Sequence, residues 1–371
     1  MDRRGQVHPS ALPHRGMIIT IRKSLDAYFS SWLSMRESTR VAKSLRFVLG
    51  LACLVVLFSL VQLIGPARII GPLQAADDVL TADKMSYLKL ARQGWSYRLR
   101  TTMLGRDLSI PIYIDGKRLA GAYLCIVGEQ PHPITVQTIN AFRRLIERVF
   151  GRPLLTRYAG SSAEGCGTGR VIMLRLYSGA PPNRLLSADL AWMNEVYALG
   201  LRAKRAHVAT SPAMAQTFFG RRGQGTHIMV QQPRRRRIGT LEERFFRSIL
   251  IEELYQSFTF GMDVLLFDRN LPFVSKLQEK PTNLHRLPWN SKAFMQALLK
   301  ASPAGLCAFD VFMLHAVARS PGEQTNEPGF IDFIEAEYDT LISVAGETLK
   351  VPFLTRLLDP ACAGRSLGRE R

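Results

Sequence analysis

Residues 47–67, FVLGLACLVVLFSLVQLIGPA, contain no charged side chain. A helix of 21 such positions is about 31 Å long at 1.5 Å per residue, which matches a hydrocarbon core of roughly 30 Å. Ahead of it, residues 1–46 hold nine Lys or Arg against three acids, a net charge of +6. Basic flanks stay in the cytoplasm, so the pattern predicts a cytoplasmic tail over 1–46 and one transmembrane helix over 47–67, with the rest of the chain exported. A cleaved signal peptide is the competing reading. Its apolar stretch is normally about 7–15 residues and ends in a small-x-small site, which Leu73-Gln74-Ala75 fits poorly. The expectation is a single-pass protein of the bacterial inner membrane with its main domain in the periplasm.

The whole chain has 371 residues, carries a net charge of +19 and is 47% apolar. That length supports a sizeable core, and the apolar fraction excludes a disordered chain. The charge by itself would suggest nucleic acid, but an exported domain makes a nucleic-acid partner the wrong expectation. The membrane and an anionic lipid or polymer are the expected partners instead. The sharpest charge feature is the run Arg234, Arg235, Arg236 and Arg237 after Pro233, a candidate contact for such an anionic partner.

Cys53 falls in the apolar run, leaving Cys125, Cys166, Cys307 and Cys362, which allow three disulfide pairings. No C-x-x-C spacing supports a zinc ribbon or redox motif. Residues 68–107 read as a linker with an amphipathic stretch over 85–92, and the domain is expected over 108–346, followed by a tail over 347–371. Strands are expected over 110–114, 122–127 and 171–177, with weaker ones over 207–210 and 227–231. Helices are expected over 135–150, 187–199 (capped by Ser187), 241–260, 289–300, 308–317 and 331–344. The order is that of an α+β domain. The glycine-dense stretch 165–169 precedes a strand and reads as a turn, not a phosphate loop.

The helix over 241–260 carries the chemistry. At 100° per residue, Glu252, Glu253 and Gln256 interleave with Phe245, Ile249 and Leu250 on one face, while Ile251, Leu254 and Phe258 line the other. A helix apolar nearly all round is buried, and a buried carboxylate needs a partner or a shifted pKa. Glu252, Glu253 and Gln256 have the spacing of H-E-x-x-H without its histidines, with Glu253 in the place of the catalytic glutamate.

The segment Glu252-Glu253-Leu254-Tyr255-Gln256, with Asp263 beyond it, resembles the E-E-L-x-Q signature of an uncharacterised proteobacterial family of secreted or periplasmic domains, which look like zincin metallopeptidases with a degenerate metal motif. Ser275 and Phe309-Asp310 fall on two further family positions, whereas Thr259 replaces the family's glycine. The resemblance implies a zincin-like mixed sheet-and-helix domain over roughly 108–320 and supplies no reaction.

No metal or other cofactor is expected. Zinc sites rely on imidazole or thiolate, and Gln256 offers only an amide. An oxygen-only set of Glu252, Gln256 and Asp263 would suit a hard ion such as Ca²⁺ at best. His132, His207, His227, His285 and His315 lack ligand spacing. The expected function is therefore binding of a peptide or envelope protein in a degenerate groove, and not catalysis. The alternatives are an envelope hydrolase with Glu253 as general base and a structural subunit of an inner-membrane complex. Glu252 and Gln256 are expected to be buried and bonded to each other, and Glu253 to be held by protein donors without an open pocket.

Overall fold

The structure is a computed structural model that describes residues 84–95, 116–202, 205–322 and 325–363. Among them no helix is long and apolar enough to cross a membrane. This corrects the single-pass inner-membrane localisation: the apolar run over 47–67 and the basic tail before it lie outside the described residues, so no span supports the placement. The expected strand over 110–114 lies outside them as well.

The elements are helices α1 (Lys84–Trp95) and α2 (Gly116–Ala120), strand β1 (Tyr123–Gly128), α3 (Pro133–Phe150), β2 (Thr156–Tyr158), β3 (Val171–Tyr177), α4 (Asn183–Tyr197), β4 (Ala213–Gly220), β5 (Gly223–Gln231), α5 (Thr240–Thr259), β6 (Val264–Leu265), β7 (Gln278–Glu279), α6 (Lys292–Ala301), α7 (Ala308–Arg319), α8 (Pro328–Ala336) and α9 (Tyr338–Leu349), with 3₁₀ turns at Ala163–Cys166 and Pro352–Arg356. Five strands form one sheet in the order β2-β1-β3-β5-β4. The first four run parallel, and β4 pairs antiparallel with β5 at the edge. The domain is thus a mixed sheet-and-helix fold, as the α+β expectation holds at that level.

Parallel strands are covered on both faces, so their sequences are apolar in both phases; every residue of β3 is buried. Leu124, Ile126, Ile172, Leu174 and Ile228 point into one core with α3, α5 and α7. Cys125, Val127, Met173 and Met229 point into another, against Leu186, Leu190 and Met193 of α4. Arg175 lies on this second face, where its guanidinium pairs with Asp189 of α4, and His227 Nε2 meets the same carboxylate at 2.9 Å. α3 starts on Pro133 behind the His132 cap and ends at Gly151 with φ 67, the left-handed turn that glycine allows at a helix end.

Several boundaries differ from the sequence reading. Residues 84–95, expected within a linker, are a core helix: Leu88 and Trp95 are buried, and the Trp95 indole donates to the Thr259 carbonyl at 2.8 Å. The expected tail is held too, since Leu358 bridges Leu306 and Cys362 is bonded to Cys307. The other disulfide joins Cys125 to Cys166, which resolves the three possible pairings. Ser187 does not cap α4; it lies inside the helix, where its Oγ accepts the His207 N–H at 2.8 Å. Residues 207–210 form no strand, and the expected helix over 331–344 is two helices that meet at Glu337.

Candidate functional site

The α5 helix follows β5 and carries Glu252, Glu253 and Gln256 to a cleft beside the chain entering β4. The cleft encloses about 350 Å³ and is lined by these three side chains with Asp263, Glu279, Ala213 and Trp289 among others. An open pocket is therefore present where none was expected. Glu253 is buried and Glu252 and Gln256 are half-buried. Glu252 and Gln256 are not bonded to each other, which corrects that expectation. Glu252 Oε2 accepts from Lys276 Nζ at 2.6 Å, and Gln256 Nε2 donates to Asp263 Oδ1 at 2.5 Å.

Lys276 is the hub. It is fully buried, and its ammonium also donates to the Pro303 carbonyl at 2.8 Å and to Ser248 Oγ at 3.2 Å. Its backbone is fixed by Asp310, whose carboxylate accepts the Lys276 N–H at 2.7 Å, Ser275 Oγ at 2.6 Å and the Cys307 N–H at 2.7 Å. The last bond also closes the first turn of α7, where a carboxylate satisfies donors that the helix leaves free. Ser275 and Asp310, singled out in the sequence, thus meet and set the lysine that neutralises Glu252. Burial raises the Asp310 carboxyl to about 6 against these bonds.

The cleft gathers more negative charge than Lys276 offsets. Glu252, Asp263 and Glu279 bring carboxylate oxygens within 4.8 Å of one another. Burial, then Glu252 and Asp263, push Glu279 up to about 7. Burial and Glu252 raise Asp263 to about 6, although its side chain reaches solvent at the cleft mouth. Glu253 is pushed well above the ordinary carboxylate range by burial first, then by Glu252 and Asp263; Lys276 and the Ala215 N–H oppose the shift. Desolvation and like charge both disfavour ionisation. The shift favours the protonated carboxyl of Glu253 over the carboxylate that a general base requires.

A hard cation would find three oxygen donors in Glu252, Asp263 and Glu279, but one is already engaged by an ammonium, and Gln256 turns its amide N–H toward Asp263. Among the described residues that line the cleft, His285 alone offers a nitrogen or sulfur ligand that would suit zinc. Arg234, Arg235, Arg236 and Arg237 are exposed between β5 and α5, and none lines the cleft. The Arg236 carbonyl meets His132 Nε2 at 3.2 Å. Glu279 and Lys276 escaped the sequence reading, because neither is spaced from Glu252 by any local period; only a charged residue in the apolar context Val274-Ser275-Lys276-Leu277 hinted at burial. Compared with protein-family models, curated proteins and solved structures, the chain matches none.

Proposed function

We propose that this is a zincin-like domain whose groove has lost its metal ligands and binds an extended peptide along the outer edge of β4, which no described strand pairs. The observation that carries the reading is the placement of the cleft: the antiparallel edge strand β4 borders it, and Ala213 of that strand and Glu253 of the motif helix both line it. An edge strand offers unpaired backbone groups to an added strand, and pockets beside it select side chains. The degenerate Glu252-Glu253-Gln256 set and the mixed five-stranded sheet support the zincin-like assignment. The uncompensated carboxylates favour a peptide with basic side chains.

The test is fluorescence anisotropy with a labelled, capped heptapeptide of alternating valine and lysine, against its glutamate counterpart, followed by amide exchange. The lysine peptide is expected to bind at least about tenfold tighter, roughly 1.4 kcal/mol, and to slow exchange in β4. No binding of the lysine peptide, or protection elsewhere only, overturns the reading. A second reading is hydrolysis assisted by Glu253, favoured by its buried carboxyl on an open cleft. Cleavage of the peptide that disappears in Glu253→Gln, with the fold intact, would replace binding by catalysis as the conclusion.

A further inference from the structure

On the opposite face of the sheet from the cleft, we propose a second ligand site: a pocket along α4 for a small organic oxyanion, a carboxylate or phosphate carried on an apolar body. The cavity there encloses about 670 Å³, within the roughly 300–1,000 Å³ typical of small-molecule sites. The chain leaving α4 turns back along it and is fastened to helix side chains. Asn194 Oδ1 accepts the Leu201 N–H at 2.9 Å, Ser187 Oγ the His207 N–H at 2.8 Å, and Asn183 Oδ1 the Ala209 N–H at 2.9 Å. The wall is therefore built by the fold and does not depend on a ligand.

The lining is apolar where α4 forms the floor and cationic at the rim. Ala188 and Ala191 are small and exposed on the helix face, with Leu190 and Leu201 beside them. Arg184 comes from the first turn of α4, and Arg202 and Arg205 from the returning chain. All three are exposed, and among the described residues no carboxylate forms an ion pair with any of them. Glu195 is the single carboxylate among the described lining residues. His207 is held below its ordinary range by burial, then by Arg205 and His227, so its ring is neutral at pH 7 and adds a donor or acceptor without charge. Guanidinium forks match the two oxygens of a carboxylate or phosphate. An apolar floor under a cationic rim fits an amphipathic anion; a polyanion would instead need a long basic track with stacking aromatics.

The experiment is isothermal titration of the protein with sodium decanoate and with decyl phosphate, using decanol as the neutral control. One or both anions should bind, at least about tenfold tighter than decanol, and the two arms identify the headgroup. The variant Arg184→Gln/Arg202→Gln/Arg205→Gln should weaken that binding by about tenfold or more, since the charge-assisted bonds to the headgroup are lost. Ala191→Trp, which fills the floor, should abolish it. Failure of both anions to bind, equal binding of decanol, or anion binding unchanged in the triple arginine variant or in Ala191→Trp overturns the proposal. The decanol comparison needs only the unaltered chain, so the outcome does not hang on how the variants fold.

Discussion

Replacing Lys276 by methionine removes a cation that solvent does not reach while nearly preserving side-chain volume. The ammonium is 0% exposed and holds Glu252, which is 15% exposed. Removing one partner of a buried ion pair costs about 3–5 kcal/mol, because the other charge is left unpaired. The residual exposure of Glu252 places Lys276→Met near the lower end, about 3 kcal/mol at pH 8. The penalty should depend on pH, because Lys276 also holds down the carboxyls of Glu253, Asp263 and Glu279. At pH 5 Asp263, at about 6, and Glu279, at about 7, are already protonated. What remains is the loss of the Glu252 pair and of the bonds to Pro303 and Ser248, so the penalty should be smaller at pH 5 than at pH 8. Urea unfolding followed by tryptophan fluorescence at both pH values, without reductant, measures the difference. The double variant Lys276→Met/Glu252→Gln should recover at least half of the loss at pH 8. An equal penalty at both pH values, or no recovery in the double variant, would refute the reasoning.

Glu279 has a folded pKa of about 7 against an ordinary 4.5, so the folded chain holds a proton that the unfolded chain releases. Its contribution to stability is complete below about pH 4.5 and is lost as pH rises toward about 7. The stability of the unaltered protein relative to Glu279→Gln should therefore fall across that window and level off above it; unfolding curves at several pH values, in which shifts common to both proteins cancel, would show no slope if Glu279 were solvated. The Cys307–Cys362 disulfide spans 55 residues, which corresponds to about 4 kcal/mol of chain entropy as an upper figure. Cys307→Ala/Cys362→Ala should lower the urea midpoint, and an unchanged midpoint would show that the terminal segment contributes nothing. Gly116→Ala should destabilise by about 1–3 kcal/mol or more, because its Cβ would lie 2.1 Å from the Phe258 carbonyl oxygen and 2.7 Å from Val317; a neutral effect on thermal melting would contradict the packing of α2 against α5.

The amino-acid sequence by itself determined the elements whose signals are local. The uninterrupted apolar run Val171–Tyr177 is a strand buried on both faces, and Thr240–Thr259 and Ala308–Arg319 are helices apolar nearly all round. Periodicity requires only neighbours a few residues away, and it suffices to bury Glu253. What the buried groups bond to depended on tertiary structure. Lys276 lies 24 residues from Glu252, and Asp310 lies 35 residues from Ser275; no local spacing encodes such a meeting, so the expected Glu252–Gln256 bond gave way to two separate pairs. The edge strand Ala213–Gly220 was illegible for a related reason: its AMAQTFFG sequence has no alternation, and pairing with β5 alone makes it a strand. The core role of α1 rests on contacts such as the Trp95 bond to Thr259 across 164 residues. Side-chain identity and spacing decide which groups leave water, whereas the partner that compensates each buried charge is decided only when distant segments pack together.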